Sequence, residues 1–384
     1  MRLSGFVQLA ILSTICGLPP AAASAGPASP IKHVFVIAFE NHNWTQPASD
    51  DAAPRQIYGN PAAPYINSLV SPGNPNAAEV SFAAAYHNVL ATENGETIDI
   101  HPSEPNYIWA EAGSNLGVFS DDDPLGPGGT EQKTAMTLSN LLQRAGKNWR
   151  SYQEDIDIDH ADGHVLPRSQ WTVPFDTRSG TFAHGVNAYN GSRQYGYAPK
   201  HNPQALFAAT NGHGNQTPAN RMVDHYLPLQ QLAADLASGN VADYNWITPD
   251  LYNDMHTALT GGFTYHGWHY TDDKAAIAEG DNFAARIVPL IMASKAYQDG
   301  GLIILWWDET EGRNRDDYRH TIPEIVISPY AKGHAFMNRI SYSHSSDLVT
   351  MEEIFGLKPC LRDACKANDL SDLFKPGTIP RSLP

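Results

Sequence analysis

The chain has 384 residues, 42% hydrophobic and 10% aromatic, so it can bury a large core and is not an intrinsically disordered chain. Its 25 Lys+Arg against 41 Asp+Glu give a net charge of -16. That excludes a nucleic-acid binder held by phosphate contacts and a polybasic membrane-surface protein.

Arg2, the apolar stretch 6–18 and the small residues Ala23-Ser24-Ala25 read as a signal peptide over 1–25, cleaved after Ala25. A buried N-terminal helix is the plainer alternative. No later apolar run reaches the length of a membrane helix, so the chain is expected to be secreted or periplasmic with no transmembrane segment. A single domain, 26–384, is expected to follow. Cys16 goes with the signal, which leaves Cys360 and Cys365 as an even pair expected to staple the C-terminal region.

Residues 31–39 (IKHVFVIAF) read as a buried strand that stops at Glu40-Asn41-His42-Asn43. A short helix is predicted around 64–70 and a strand over 81–90. His101-Pro102-Ser103-Glu104-Pro105-Asn106-Tyr107 leads into helix-compatible 108–112. Residues 137–145 have helical spacing with a Thr start and a Gly stop, and 149–154 read as a strand. Residues 155–220, rich in Gly, Asn, His and aromatics, read as an ordered excursion that covers or shapes a site. A helix is predicted over 227–236. The strand 243–248 runs on to Asn253-Asp254-Met255-His256. A long helix is predicted over 281–297, and the apolar strand 301–307 (GLIILWW) ends at Asp308-Glu309. A strand over 321–328 and a helix over 347–355 follow. Strands alternate with helices, which predicts an α/β fold with helices sandwiching a largely parallel central sheet. In such sheets the ligand site lies beyond the carboxyl ends of the strands, where three of these strands deliver polar clusters.

The residue types at those ends suit a hard or borderline divalent cation. Glu40, Asn41, Asp308 and Glu309 offer oxygen ligands from two distant strands. Singly, each reads as a solvated loop charge or a cap. Ser103, two residues before Pro105, is either an ordinary helix cap or a nucleophile at a helix N-terminus, where free N–H groups favour a phosphate. His101, His256 and His344 could bind metal, move a proton or hold phosphate oxygens, and each alone reads equally as a structural histidine. No Walker-type or dinucleotide-binding glycine loop occurs, and Gly-x-Ser-x-Gly is absent.

Seven motifs in order then carry a resemblance: KHVFVIAFENHNW (32–44), HPSEPNYIW (101–109), KHNPQALF (200–207), NWITPDLYNDMH (245–256), LIILWWDETEG (302–312), IPEIVISPYA (322–331) and YSHSSDLVTMEEIFGL (342–357). The chain resembles the bacterial and fungal phosphoesterase family that contains secreted acid phosphatases and phospholipases C, within the alkaline-phosphatase-like superfamily. The resemblance implies metal ligation by Glu40, Asn41, Ser103, Asp308 and Glu309, with Ser103 as the nucleophile. It implies His101 and His256 near the phosphate as catalytic candidates. Asn106, His344 and Asp254 are carried as substrate-binding residues. Phospholipase members often carry Arg-Ser-Phe after Glu-Asn, where this chain has His42-Asn43-Trp44, a departure that leans toward phosphatase-like members.

The resulting expectation is a secreted, metal-dependent phosphoesterase acting on small phosphate monoesters through a phosphoserine. A phospholipase C-type phosphodiesterase is the rival within the class. A non-catalytic exported protein that binds a phosphate ligand is the rival outside it.

Overall fold

The described strands are β1 (His33–Phe39), β2 (Val80–Ala83), β3 (Trp149–Gln153), β4 (Arg178–Thr181), β5 (Gln194–Tyr197) and β6 (Tyr226–Pro228). They continue with β7 (Tyr244–Thr248), β8 (Phe263–Tyr265), β9 (Trp268–Tyr270), β10 (Gly301–Trp307), β11 (Glu324–Ile327) and β12 (Phe336–Asn338). The helices that bear on the site are α1 (Pro64–Leu69), α2 (Ser103–Ala112), α3 (Leu138–Arg144), α4 (Gln231–Ser238), α5 (Asp272–Met292) and α6 (His344–Phe355). The computed structural model describes residues 28–49, 56–91, 99–125, 127–170, 177–215, 217, 219–311 and 317–380. The signal peptide expected over 1–25 lies outside them.

An eight-stranded sheet of order β12-β2-β11-β10-β1-β7-β3-β6 forms the centre. From β10 to β6 every pairing is parallel, while β10–β11 and β11–β2 are antiparallel. The two central strands explain why. β10 is apolar and buried along its whole length, and β1 is buried from Val34 onward. Such strands need helices on both faces, and a parallel sheet with crossover helices provides them. The core runs through both faces and contains Trp149, Trp246, Trp306 and Trp307 fully buried.

Three predicted elements differ. The helix predicted over 227–236 begins as the edge strand β6, where Tyr226, Leu227 and Pro228 pair with β3; an edge position tolerates the proline. The helix proper, α4, starts at Gln231. The helix predicted over 281–297 is α5, which starts at Asp272 behind the polar run at its N-terminus and ends at Met292. The strand predicted over 81–90 is short, and only Val80–Ala83 joins the sheet.

The excursion over 155–220 carries the β4–β5 hairpin and two 3-10 turns, Pro199–His201 and Pro203–Leu206. The second turn and the first both pack on α2. Helix α2 ends at Gly113, whose φ of 64° favours glycine; a Cβ there would lie 2.5 Å from the Leu361 carbonyl. Cys360 and Cys365 are disulfide-bonded. Between them, Arg362 donates to the Ala112 carbonyl at 2.8 Å, so the stapled loop places a cation on the C-terminal end of α2.

Candidate active site

The sheet delivers the site through backbone register. Phe39 of β1 pairs with Trp307 of β10, so Glu40 and Asp308 leave the sheet side by side. Asp308 N–H donates to the Phe39 carbonyl at 3.1 Å, and Glu40 N–H donates to the Asp254 carbonyl at 2.8 Å. Three strand ends are thereby tied together. Ser103, the first residue of α2, faces them: its Oγ donates to Glu40 Oε2 at 2.8 Å. Tyr107, one turn along α2, donates to Glu40 Oε1.

A second tier holds Asp308 and Glu309. Asn41 N–H donates to Asp308 Oδ1 at 3.0 Å, and Asn41 Nδ2 donates to Glu309 Oε1 at 2.6 Å, which leaves the Asn41 amide oxygen facing away from that bond. Glu309 Oε2 receives Asn106 Nδ2 at 3.0 Å and lies 2.8 Å from His101 Nδ1. His101 Nε2 in turn lies 3.3 Å from Asn88 Nδ2. Both ring nitrogens of His101 thus have protein partners, which suits a residue that aims Glu309. Glu40 and Asp308 are fully buried, and Ser103 and Glu309 almost so.

So many buried carboxylates repel one another. Burial and then Asp308 push the Glu40 carboxyl well above its ordinary value. Burial and then Glu309 do the same to Asp308, and burial and then Glu40 to Asp254. Asp308 Oδ2 is buried without a hydrogen-bond partner. A divalent cation among these oxygens would satisfy that atom and cancel the repulsion, so the residues fit one. A further group is fully buried beside them. His201 Nε2 lies 3.3 Å from Glu40 Oε1, and His201 Nδ1 lies 3.4 Å from Asp254 Oδ2. Ligand atoms of Glu40, His201 and Asp254 all fall within 4.8 Å of one another.

A cavity of about 300 Å³ opens onto the cluster, lined among others by Asn41, His101, Ser103, Asp121, His256 and Glu309. His256 Nδ1 lies 2.8 Å from Thr257 Oγ1. Burial, and then the nearby Lys200 charge, push its imidazole down to about 4, so the ring is neutral in mildly acidic and neutral solution. Lys200 itself lies 2.8 Å from Asp121 Oδ2. Burial pulls its ammonium down, but Asp121 and Glu40 outweigh burial and raise it.

Of the sequence-predicted residues, Glu40, Asn41, Ser103, His101, Asn106, Asp308 and Glu309 form one hydrogen-bonded group, and His256 stands across the cavity from part of it. Asp254 joins from beneath through Glu40 and His201. Asn106, Asp254 and His344 do not line the cavity. His344 sits behind the site, where its Nε2 lies 2.5 Å from the Asp308 carbonyl and its Nδ1 accepts from Trp306 Nε1 at 3.1 Å. That placement supports the strand end, away from the lining of the cavity. Sequence reasoning assigned no role to Tyr107, Asp121, Lys200 or His201. The KHNP motif marked the last two, but nothing in its spacing pointed back to Glu40.

The Phosphoesterase family matches residues 77–358, a stretch that includes Ser103, His201, His256, Asp308 and His344. The chain belongs to the phosphoesterase family. It is a hydrolase acting on phosphoric ester bonds. A phosphatidylinositol-3-phosphatase of Mycobacterium tuberculosis is 24% identical to this phosphoesterase over 371 residues, covering 96% of this chain and 92% of that protein. A phosphate-repressible acid phosphatase of Penicillium chrysogenum is 22% identical over 275 residues, covering 70% of this chain and 52% of the fungal one. The phosphoesterase thus spans about half the length of that relative. A solved Bacteroides thetaiotaomicron protein described for glycosaminoglycan metabolism superposes with a TM-score of 0.51 at 12% identity, covering 92% of this chain and 83% of that one. At that identity the likeness concerns the fold alone.

Proposed function

We propose that this phosphoesterase hydrolyses phosphate monoesters, as an acid phosphatase does, through a phosphoserine on Ser103 and with a divalent cation held among its carboxylates. The observation that carries the reading is the Ser103 hydroxyl, at the first residue of a ten-residue helix, donating at 2.8 Å to the buried carboxylate of Glu40. The names of the mycobacterial and Penicillium relatives, both phosphatases, support the monoester preference. Glu40, Asn41, Ser103, Asp308 and Glu309 would hold the cation, which supplies positive charge to the serine oxygen and the phosphoryl oxygens.

The chain's own residues do the rest. Ser103 Oγ attacks phosphorus in line, the Oγ–P bond forms, and the bond from phosphorus to the ester oxygen breaks. The hydroxyl proton passes to Glu40, whose other oxygen is held by Tyr107. His256 shares a 2.8 Å hydrogen bond between Nδ1 and Thr257 Oγ1, and in the tautomer that accepts there its Nε2–H would hydrogen-bond the departing oxygen, which takes its proton from solvent. Water then attacks phosphorus, releases phosphate and returns the Glu40 proton to Ser103, while the proton of the water leaves to solvent. His101 and Asn106 aim Glu309.

The reading includes export with loss of 1–25 and a single domain over 26–384, supported by the apolar stretch 6–18 and the Ala23-Ser24-Ala25 ending. The test is a comparison of p-nitrophenyl phosphate with p-nitrophenyl phosphorylcholine on metal-replete protein, with acid quench to trap a labelled phosphoserine. Turnover of the monoester with label at Ser103 is expected. Preference for the phosphorylcholine ester, or label elsewhere, overturns it.

A further inference from the structure

An anionic substrate approaching this chain meets a net charge of -16 and a floor of carboxylates. Something beside the cation must receive the phosphoryl oxygens. We propose that Lys200 is the side chain that receives them, and that Asp121 occupies the same anion subsite from within the chain until a phosphate displaces it. This rests on the reading of Ser103 as the nucleophile.

The geometry is that of a carboxylate standing where a phosphoryl group would stand. Asp121 Oδ2 lies 2.8 Å from Lys200 Nζ. Its other oxygen, Oδ1, accepts the Glu104 N–H at 3.0 Å. Glu104 immediately follows Ser103, so one Asp121 carboxylate bridges the ammonium and the backbone amide next to the attacking oxygen. Two non-bridging oxygens of a phosphate would make the same pair of charge-assisted bonds. Asp121 lines the cavity with Ser103 and His256, and its side chain is 30% exposed, against 18% for Lys200. The carboxylate therefore faces the cavity, and the ammonium is the more buried of the pair.

Lys200 is placed rather than free to roam. It belongs to the turn Pro199–His201, and the next residue, His201, is stacked on Tyr107 with ring centroids 5.1 Å apart and reaches Glu40. The charge of Lys200 is felt by Glu40, Asp254, His201 and His256, which surround the nucleophile. Asp121 lies outside any helix or strand, between α2 and α3.

The arrangement bears on specificity. A monoester phosphate carries up to two negative charges and competes well with a carboxylate for an ammonium and an amide. A diester carries one and competes less well. Asp121 thus acts as an internal competitor that selects for the more highly charged phosphoryl group.

The test uses the full-length, metal-replete protein and inorganic phosphate as probe. Titration calorimetry on a Ser103→Ala background reads phosphate affinity without turnover. Lys200→Ala is expected to weaken phosphate binding about tenfold or more, the cost of removing a bond to a charged group. Lys200→Arg is expected to recover part of it. Asp121→Asn is expected to tighten phosphate binding, and with Ser103 restored, to lower KM for p-nitrophenyl phosphate. Should Lys200→Ala melt out of the fold, Lys200→Met keeps the stem and reads the same loss. Unchanged phosphate affinity in the Lys200 variants overturns the proposal. So does an Asp121→Asn protein that binds phosphate more weakly, because Asp121 would then serve only to position Lys200. Failure of the nucleophile reading shows separately, as turnover that survives Ser103→Ala.

Discussion

Ser103 Oγ and Glu40 Oε2 are joined by a 2.8 Å hydrogen bond although they stand 63 residues apart, one opening helix α2 and the other following the last residue of strand β1. The bond gives the hydroxyl proton a carboxylate to go to as Oγ becomes a nucleophile. Ser103→Ala removes both the attacking atom and the donor. Since covalent nucleophiles act as a unit with their neighbours, kcat is expected to fall by about a thousandfold or more. The variant keeps the α2 backbone, so its melting temperature is expected to stay near that of the parent. Stopped assays with p-nitrophenyl phosphate and a thermal melt check both halves.

The cation site has its own signature. Asp308 Oδ2 is buried without a hydrogen-bond partner among the described residues, whereas both Glu309 oxygens have one. Asp308→Asn is therefore expected to lower bound metal, measured as metal content of the purified protein, more than a change at the supporting ring does. Asn106→Ala leaves every proposed ligand in place but frees Glu309 Oε2 from one donor. Loss of such a supporting partner costs about 10–100-fold in metal affinity or activity. Chelation is expected to abolish turnover in the parent, with recovery on adding a divalent cation back. Full activity after chelation would remove the cation from the mechanism.

The strand ends were legible because burial leaves a plain mark. Runs such as VFVIAF and GLIILWW change abruptly to Glu-Asn and Asp-Glu, and a parallel sheet makes those changes meet. Ser103 was legible as a helix start, and the structure begins α2 at that residue. The residues from the excursion were not. His201 reaches Glu40, and Lys200 reaches Asp121, through a 3-10 turn whose path depends on tertiary packing against α2, and no periodicity encodes such a path. Tyr107 was hidden for a different reason. A buried aromatic on a helix reads as core, and only its hydroxyl bond to Glu40 gives it a second task. His344 was the converse, a histidine in a motif whose ring faces a backbone carbonyl, a tryptophan and the Tyr86 hydroxyl.

His344 is expected to act through Asp308. Its Nδ1 accepts from Trp306, so the neutral ring donates from Nε2 to the Asp308 carbonyl. Burial pushes the imidazole down to about 4, which keeps the ring neutral across the working range. His344→Ala leaves the Asp308 carbonyl and the Trp306 indole without that partner. The destabilisation is expected at about 1–3 kcal/mol, the cost of unsatisfied buried groups. Since His344 does not line the cavity, kcat is expected to fall while KM for a small phosphate ester stays within about twofold, by the logic that ground-state binding is untouched. A melt and a kcat-against-KM comparison distinguish this from direct substrate contact, which would raise KM.

The buried carboxyls are expected to contribute more to the stability of the fold as solution becomes acidic, from pH 8 toward pH 5, while the buried His256 and His344 rings, pushed down to about 4, act the other way below about pH 6.5. Burial pushes the Asp281 carboxyl up to about 6, Glu352 up to about 7 and Glu279 up to about 8. Carboxyls in the unfolded chain titrate near pH 4. A carboxyl with a raised folded value binds its proton more tightly when folded. Its contribution is complete below about pH 4 and is lost as pH rises through the folded value. Over pH 5 to 8 these groups therefore all act in the same direction. Glu279 gives the sharpest test, because its Oε2 is buried without a hydrogen-bond partner and Oε1 accepts only a 3.3 Å bond from Leu259 N–H. Glu279→Gln removes the charge but keeps the shape. Thermal melts at pH 5 and pH 8 are expected to show a smaller difference in this variant than in the parent, with the gain on the alkaline side. A Glu279→Gln protein with the same difference between pH 5 and pH 8 as the parent would mean that Glu279 is not protonated in the folded state.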